Sequence, residues 1–372
     1  MKSQELQYRV FDWLRFPLMV LVMLIHVNLY MEPIRLGVVN LSSLTTMDAC
    51  NLFRASISHV LAHVAVPLFF FISGYLFFKR LQEWDWTEYA TKLKRRVRTL
   101  LVPYLIWNTI AILVYVLIDK RMGSLSGVWD FIGQNGYLKL YWSAVSWNGA
   151  RLNWFGLPAY MTGPFLVPLW FLRDLMVMAV LSPLLWCLFR YLKGWGLLLI
   201  VLCHVSLLGV QGFTSTTVVF FGAGAYCSIN GIDSTRWTWK FRYYIYAAAL
   251  VLWVAVTCCN GYLTPMGNKL FPFFEIIGAM ALFNLATALV RKGSRIHPLL
   301  SGSAFFIYVT HTVLFLRVGC AISRRVFSSG DALSLGAHYL LSALLTVALC
   351  VACYWLLRKV TPRLCSLLTG QR

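Results

Sequence analysis

GAHYLLSALLTVALCVACYWLL, residues 336–357, contains no Asp, Glu, Lys or Arg. A helix rises about 1.5 Å per residue, so a run of this length covers the roughly 30 Å hydrocarbon core of a bilayer. Lipid offers no water to satisfy the backbone, so such a run is a helix and not a strand. Outward from it, comparable apolar runs recur near 12–31, 58–78, 99–118, 166–189, 195–210, 215–230, 243–259, 270–290 and 303–320. The short pair 195–210 and 215–230 suits tilted or partly re-entrant segments. Of the 372 residues, 59% are hydrophobic and 12% charged, against about 45–50% and about 25% in soluble chains. The expected fold is all-α: a polytopic membrane bundle of about ten transmembrane helices. It reads as a single domain over residues 1–372, with no internal repeat and no appended soluble domain.

The formal charge of +20 would suit a nucleic-acid binder, but its distribution argues for membrane lipids as partners and no nucleic acid. With the amino terminus inside, alternate loops gather Lys79, Arg80, Lys92, Lys94, Arg95, Arg96 and Arg98, then Arg236, Lys240, Arg242, Arg291, Lys292 and Arg295. With the remaining inner segments and both termini included, that side holds roughly twice the Lys and Arg of the opposite one, the positive-inside pattern with both termini cytoplasmic. The expectation is a multi-pass protein of the plasma membrane, the inner membrane in a bacterium, with its basic surplus toward the inner leaflet and a phosphorylated substrate. Loop 79–98 reads as an amphipathic helix on the membrane surface. Asp12 and Arg15 interrupt the first run and no small-residue cleavage site follows, so that run is retained rather than cleaved. Cys350 and Cys353 have C-x-x-C spacing within an apolar helix, where small packing residues are expected. Outer segment 119–165 carries Trp129, Tyr137, Tyr141, Trp142, Trp147, Trp154 and Tyr160, either an interfacial belt or a surface for stacking sugars.

An Arg or Asp within a span costs about 2.5–3.5 kcal/mol at a helix centre, so such groups mark a polar interior. Arg15 and His26 are eleven residues apart in the first span, close to three turns, so they share a face roughly 16 Å apart along the axis. Asp12, three residues before Arg15, can orient it. Snorkelling to headgroups competes for Arg15, and an interhelical hydrogen bond for His26. Glu275, near the outer end of its span, can pair with His26 or an acceptor hydroxyl. Arg173 and Asp174 point about 100° apart, which favours structural pairing with neighbouring helices over one shared site. His59 and His63 have i, i+4 spacing but no local carboxylate or thiol, so no metal is expected.

Five stretches, in order, resemble the acyltransferase-3 family of membrane O-acyltransferases: FDWLRFPLMVLVMLIHVN around Arg15 and His26, VPLFFFISGYLFF at 66–78, KRRVRTLLVPYLIW with Arg95-x-x-Arg98, LWFLRDLMV at 169–177 and SAFFIYVTHTVLF at 303–315. The resemblance implies acyl transfer, acetyl foremost, from cytoplasmic acyl-CoA as co-substrate to a hydroxyl of a surface or lipid-linked glycan, the sugar acceptor. It implies His26 as general base, with Arg15 and Glu275 also catalytic. A free imidazole, with pKa near 6.5, is available neutral for that role. Arg15, Arg95 and Arg98 are then the donor-binding cations, suited to phosphate, with inner-leaflet lipid as the competing partner of Arg95 and Arg98. Ser73, Tyr75, Trp170 and His311 line the substrate cavity in this reading. Close helix packing competes for Ser73 and Tyr75, and a core hydrogen bond to Thr310 or Ser303 for His311. Some family members carry an extra hydrolase-like domain, which is not expected here. Pro17 is expected to bend the first helix near its start. A transporter or flippase of an acyl or glycan intermediate is the alternative; it too would bury charge, but the inverted repeats common in that class are not evident.

Overall fold

The computed structural model describes the backbone of residues 3–34, 44–79, 81, 83–122, 126–152, 158–206, 214–259, 261, 264–327 and 330–370. Side chains are described there except at 118–122, 126–128, 131, 135, 146–152 and 158–161. Arg35, Arg80, Trp147, Trp154 and Tyr160 therefore lie outside the described side chains.

The helices are α1 (Ser3–His26), α2 (Thr46–Ala55), α3 (Ala65–Phe77), α4 (Trp86–Arg96), α5 (Val102–Met122), α6 (Ser126–Asn135), α7 (Tyr137–Trp142), α8 (Trp170–Val180), α9 (Ser182–Tyr191), α10 (Lys193–Val205), α11 (Ser215–Ile229), α12 (Ser234–Lys240), α13 (Arg242–Cys258), α14 (Pro265–Arg291), α15 (Pro298–Thr310), α16 (Leu316–Val326), α17 (Ala332–Val360) and α18 (Pro362–Leu368). Among the described residues, 6 helices are long and apolar enough to cross a membrane, or up to 8 if the bent pairs α8–α9 (59°) and α12–α13 (77°) each count as one. α10 and α11 occupy the positions of the two shortest expected spans and fall below that length. The chain is thus a helical, multi-pass membrane protein, with fewer full-length crossings than the expected ten.

Two expectations change. Loop 79–98 is not a detached surface helix: α4 passes through a π turn at Val97–Leu101 into α5, giving one continuous helix Trp86–Leu117. The outer segment includes a β-hairpin, Val145–Leu152 paired antiparallel with Pro158–Gly163. Pro17 lies inside α1, which runs unbroken to His26; it leaves the Trp13 carbonyl without its helical donor.

α3 and α11 cross with their backbones in contact. A Cβ on Gly74 would strike the carbonyl of Phe221, and one on Gly224 would strike the carbonyl of Phe71. Small residues permit this approach, and van der Waals contact then holds the helices where no hydrophobic drive separates protein from lipid. Around this crossing, Phe11 of α1 packs edge-on to Tyr75 (5.4 Å) and Phe71 (6.3 Å). On the other flank Tyr308 of α15 donates to the Pro168 carbonyl, joining α15 to the start of α8. Cys350 is a buried free thiol 3.6 Å from Thr310 Oγ1.

Candidate active site

α1 brings its polar face into the bundle. At 100° per residue, Arg15 and His26 are separated by only about 20° around the axis, with Met19 and Val22 flanking that line. Met19 and Val22 are each 5% exposed, whereas the Arg15 side chain is 50% exposed and pairs with Asp12 at 3.2 Å. The stripe is therefore open at Arg15 and closed by two apolar side chains before it reaches His26.

His26 meets His311, on the π turn His311–Phe315 that follows α15. The nearest ring nitrogens, His26 Nδ1 and His311 Nε2, are 3.3 Å apart. His311 Nδ1 lies 2.9 Å from both the Ile307 and Tyr308 carbonyls. Carbonyls only accept, so Nδ1 of His311 carries the proton and its Nε2 holds a lone pair. His26 Nδ1 also sits 2.9 Å from the Val22 carbonyl, so it too is protonated and shares its hydrogen with His311. The lone pair of the neutral His26 ring is left on Nε2. The π turn matters here: widening the helix at His311 alters which carbonyls its backbone and ring can reach, a common arrangement at functional sites. The bonds expected to Thr310 and Ser303 are not made; those hydroxyls donate to Phe306 and Leu300 carbonyls.

Two residues that the sequence reading passed over bracket His26. Ser58, in a π turn at Ser56–Val60, donates to the Leu24 carbonyl at 2.7 Å and contacts Tyr339 Oη at 2.8 Å. Arg54, near the end of α2, is 0% exposed. It donates to Asn28 Oδ1 at 2.8 Å, the Glu32 carbonyl at 2.7 Å and Asn51 Oδ1 at 3.2 Å. The chain tightens to a 3-10 turn at Val27–Tyr30 directly after His26, and these contacts fasten the backbone on both sides of it. The available signal was a basic residue at the head of a long apolar run.

The other expected residues scatter. Glu275 sits 3.4 Å from His204 Nε2 and accepts from Thr216 Oγ1 at 3.5 Å; no hydrogen bond joins it to His26 among the described residues. His204, buried with its Nδ1 3.1 Å from Ser215 Oγ, was missed. Arg173 and Asp174 pair directly, Nη2 to Oδ1 at 2.7 Å. Thr217 donates to Asp174 at 3.1 Å, and Arg173 reaches the Trp142 carbonyl at 2.8 Å. This buried cluster ties α8 to α11 and α7, because a long Arg side chain spans the 100° that separates adjacent Cβ atoms. Arg95 and Arg98 are exposed, while Lys92 and Arg96 of the same segment fold over Phe77, 5.6 and 5.8 Å from its ring. Ser73 is half-buried and Tyr75 is packed against Phe11 at the amino-terminal end of the bundle. Trp170 packs 6.1 Å from Phe70. His63 turns edge-on to Phe271 at 5.3 Å.

A protein family described as "Acyltransferase domain", the acyltransferase-3 family, matches residues 8–355. The chain belongs to this family. It is therefore an acyltransferase of the O-acyl, non-aminoacyl type, embedded in a membrane. It is 28% identical over 330 residues to the succinoglycan biosynthesis protein ExoH of Rhizobium meliloti (strain 1021), covering 86% of this chain and 82% of that one. No solved structure matches it.

Proposed function

We propose that this acyltransferase moves an acyl group, acetyl foremost, from cytoplasmic acyl-CoA to a hydroxyl of a surface or lipid-linked glycan, with His26 as general base. The observation that carries the reading is the His26–His311 contact, with the His26 Nε2 lone pair left free for substrate. Likeness to a succinoglycan biosynthesis protein supports a glycan acceptor. The acceptor oxygen attacks the thioester carbonyl while its proton passes to His26 Nε2. The carbon–sulfur bond then breaks, and the departing thiolate takes that proton back. His311 Nε2 accepts from His26 Nδ1 and steadies the charged ring, a positioning role of the kind a carboxylate fills in hydrolase triads.

Arg15 supplies a cation for the donor pyrophosphate, and the axis of α1 measures the arm. Arg15 and His26 are roughly 16 Å apart along the helix. An extended pantetheine arm matches about four residues of extended chain, ~14 Å. Met19 and Val22 must part for the arm to reach His26. Arg95 and Arg98, exposed at the same end, recruit the donor from the cytoplasm by charge. Glu275, with His204, serves the acceptor side.

The test is transfer from labelled acyl-CoA in proteoliposomes, parent against His26→Ala. General-base help amounts to about 10²–10⁴-fold, and a loss of that size is expected. Movement of substrate across the membrane without covalent product, indifferent to His26→Ala, would establish the transporter instead. Charge-neutralising Arg95 and Arg98 should raise the donor KM.

A further inference from the structure

Tyr8 lies on the same line of α1 as His26. The two are eighteen residues apart, five full turns at 3.6 residues per turn, and Arg15 falls between them within about 20° of that line. Tyr8 is half-buried at the amino-terminal end of the bundle, in edge-type contact with Tyr75 (ring centroids 6.5 Å) and Phe11 (6.4 Å). The ammonium of Lys79 sits over its ring, 3.8 Å from the centroid. Lys79 lies two residues past the end of α3 and makes no ion pair with a carboxylate among the described residues. Two residues back, the Phe77 carbonyl accepts from Lys92 Nζ at 2.8 Å, with Arg96 over the same Phe77 ring. The end of α3 thus collects three cations around an aromatic platform, and Arg15 stands roughly 10 Å further along α1.

We infer that Tyr8 and Lys79 form a nucleotide subsite, in which the purine base of the donor stacks on the Tyr8 face now covered by Lys79. This rests on the acyl-CoA reading above. Tyr75 and Phe11, packed edge-on, hold the Tyr8 ring so that it presents a face rather than rotating. An ammonium over a ring that is only half-buried is a weak contact beside a stacked base, so the base displaces it. The freed ammonium turns to the phosphates, where a lysine acts as a mobile point charge. The donor is then laid along one helix face in chemical order: base at Tyr8, phosphates at Lys79 and Arg15, pantetheine arm past Met19 and Val22, thioester at His26. Lys92 and Arg96 border the phosphate end.

The experiment compares acyl-CoA with acyl-pantetheine, which lacks the nucleotide, and measures direct binding of 3′-phospho-ADP to protein in nanodiscs of neutral lipid. In Tyr8→Ala and Lys79→Gln, the preference for acyl-CoA over acyl-pantetheine, taken as the ratio of their kcat/KM values, should fall about tenfold, the size expected from one lost stacking contact. The affinity for 3′-phospho-ADP should fall by a similar factor, while Tyr8→Phe keeps both. The subsite is overturned if the variants depress both donors equally, as a folding defect would, or bind 3′-phospho-ADP as the parent does. The binding arm is independent of catalysis. Should the parent transfer nothing from either donor, the proposed chemistry fails while nucleotide binding still decides the subsite. Loss of affinity for anionic-lipid vesicles with unaltered nucleotide binding would instead make Lys79 a headgroup contact and overturn the proposal.

Discussion

His26 and His311 are 285 positions apart in the chain and 3.3 Å apart in space. Because the Ile307 and Tyr308 carbonyls keep the proton on His311 Nδ1, His311 can only accept from His26. Replacing it with Asn should therefore lower kcat by about 10²–10³-fold, the scale of removing one preorganised partner of a charged transition-state group, with the donor KM little changed. An equal rise in KM would mean that His311 binds substrate instead. Val22 sits between the open end at Arg15 and the closed end at His26. Val22→Trp should lower turnover with acyl-CoA by obstructing the arm, and Val22→Ala should not. Unchanged rates in Val22→Trp, measured in the same proteoliposomes, would place the donor elsewhere. Both residues were visible in the sequence, His311 as a mid-span histidine. Its pairing with His26 was not, because nothing local to residues 303–315 points at α1.

Helix ends carry the features that the sequence pattern missed. π turns at Ser56–Val60, Val97–Leu101 and His311–Phe315 interrupt helices whose apolar runs read as uniform. Each adjoins a residue of interest: Ser58, Arg98 or His311. Through Ser58 and Arg54, α2 and the turn after it hold α1 on either side of His26. Arg54→Ala leaves the Asn28 and Glu32 acceptors unanswered. A loss of about 1–3 kcal/mol per stranded buried group is the expected scale, read as a lowered Tm in detergent together with a fall in kcat. Two glycines of α11 offer a sharper contrast. An added Cβ at Gly224 meets backbone, including the Tyr75 nitrogen at 2.7 Å, whereas at Gly222 it meets the flexible end of Ile200 at 2.6 Å. Gly224→Ala should therefore lower Tm well below Gly222→Ala; equal effects would mean that α3 and α11 do not cross as described.

At the level of the whole molecule, the proposed topology takes the amino-terminal end of the bundle as the cytoplasmic one, in keeping with the charge asymmetry. That end gathers Arg15, Lys79, Lys92, Arg96 and the exposed Arg95 and Arg98, while His26 lies toward the other. In a cysteine-free background, an impermeant maleimide added outside should label Gly330→Cys and spare Lys292→Cys. The reverse pattern would invert the donor and acceptor sides and end the proposed path. The two bent helix pairs and short α10 and α11 explain why counting apolar runs suggested more crossings than there are full-length helices. A run can satisfy its backbone as two helices meeting at an angle, and hydropathy alone does not see the angle.

The apolar runs by themselves determined that this chain is a helical membrane protein, and the spacing of Arg15 and His26 placed both on one helix face. Both are local properties, set by backbone hydrogen bonding in lipid and by 3.6 residues per turn. Tertiary structure alone decided that His26 meets His311 rather than Glu275, that Glu275 meets His204, and that Arg54 is buried. Lipid and protein interior are both apolar, so a transmembrane sequence says little about which way each helix turns. That rotation is settled only when close glycine contacts and buried hydrogen bonds from distant parts of the chain come together.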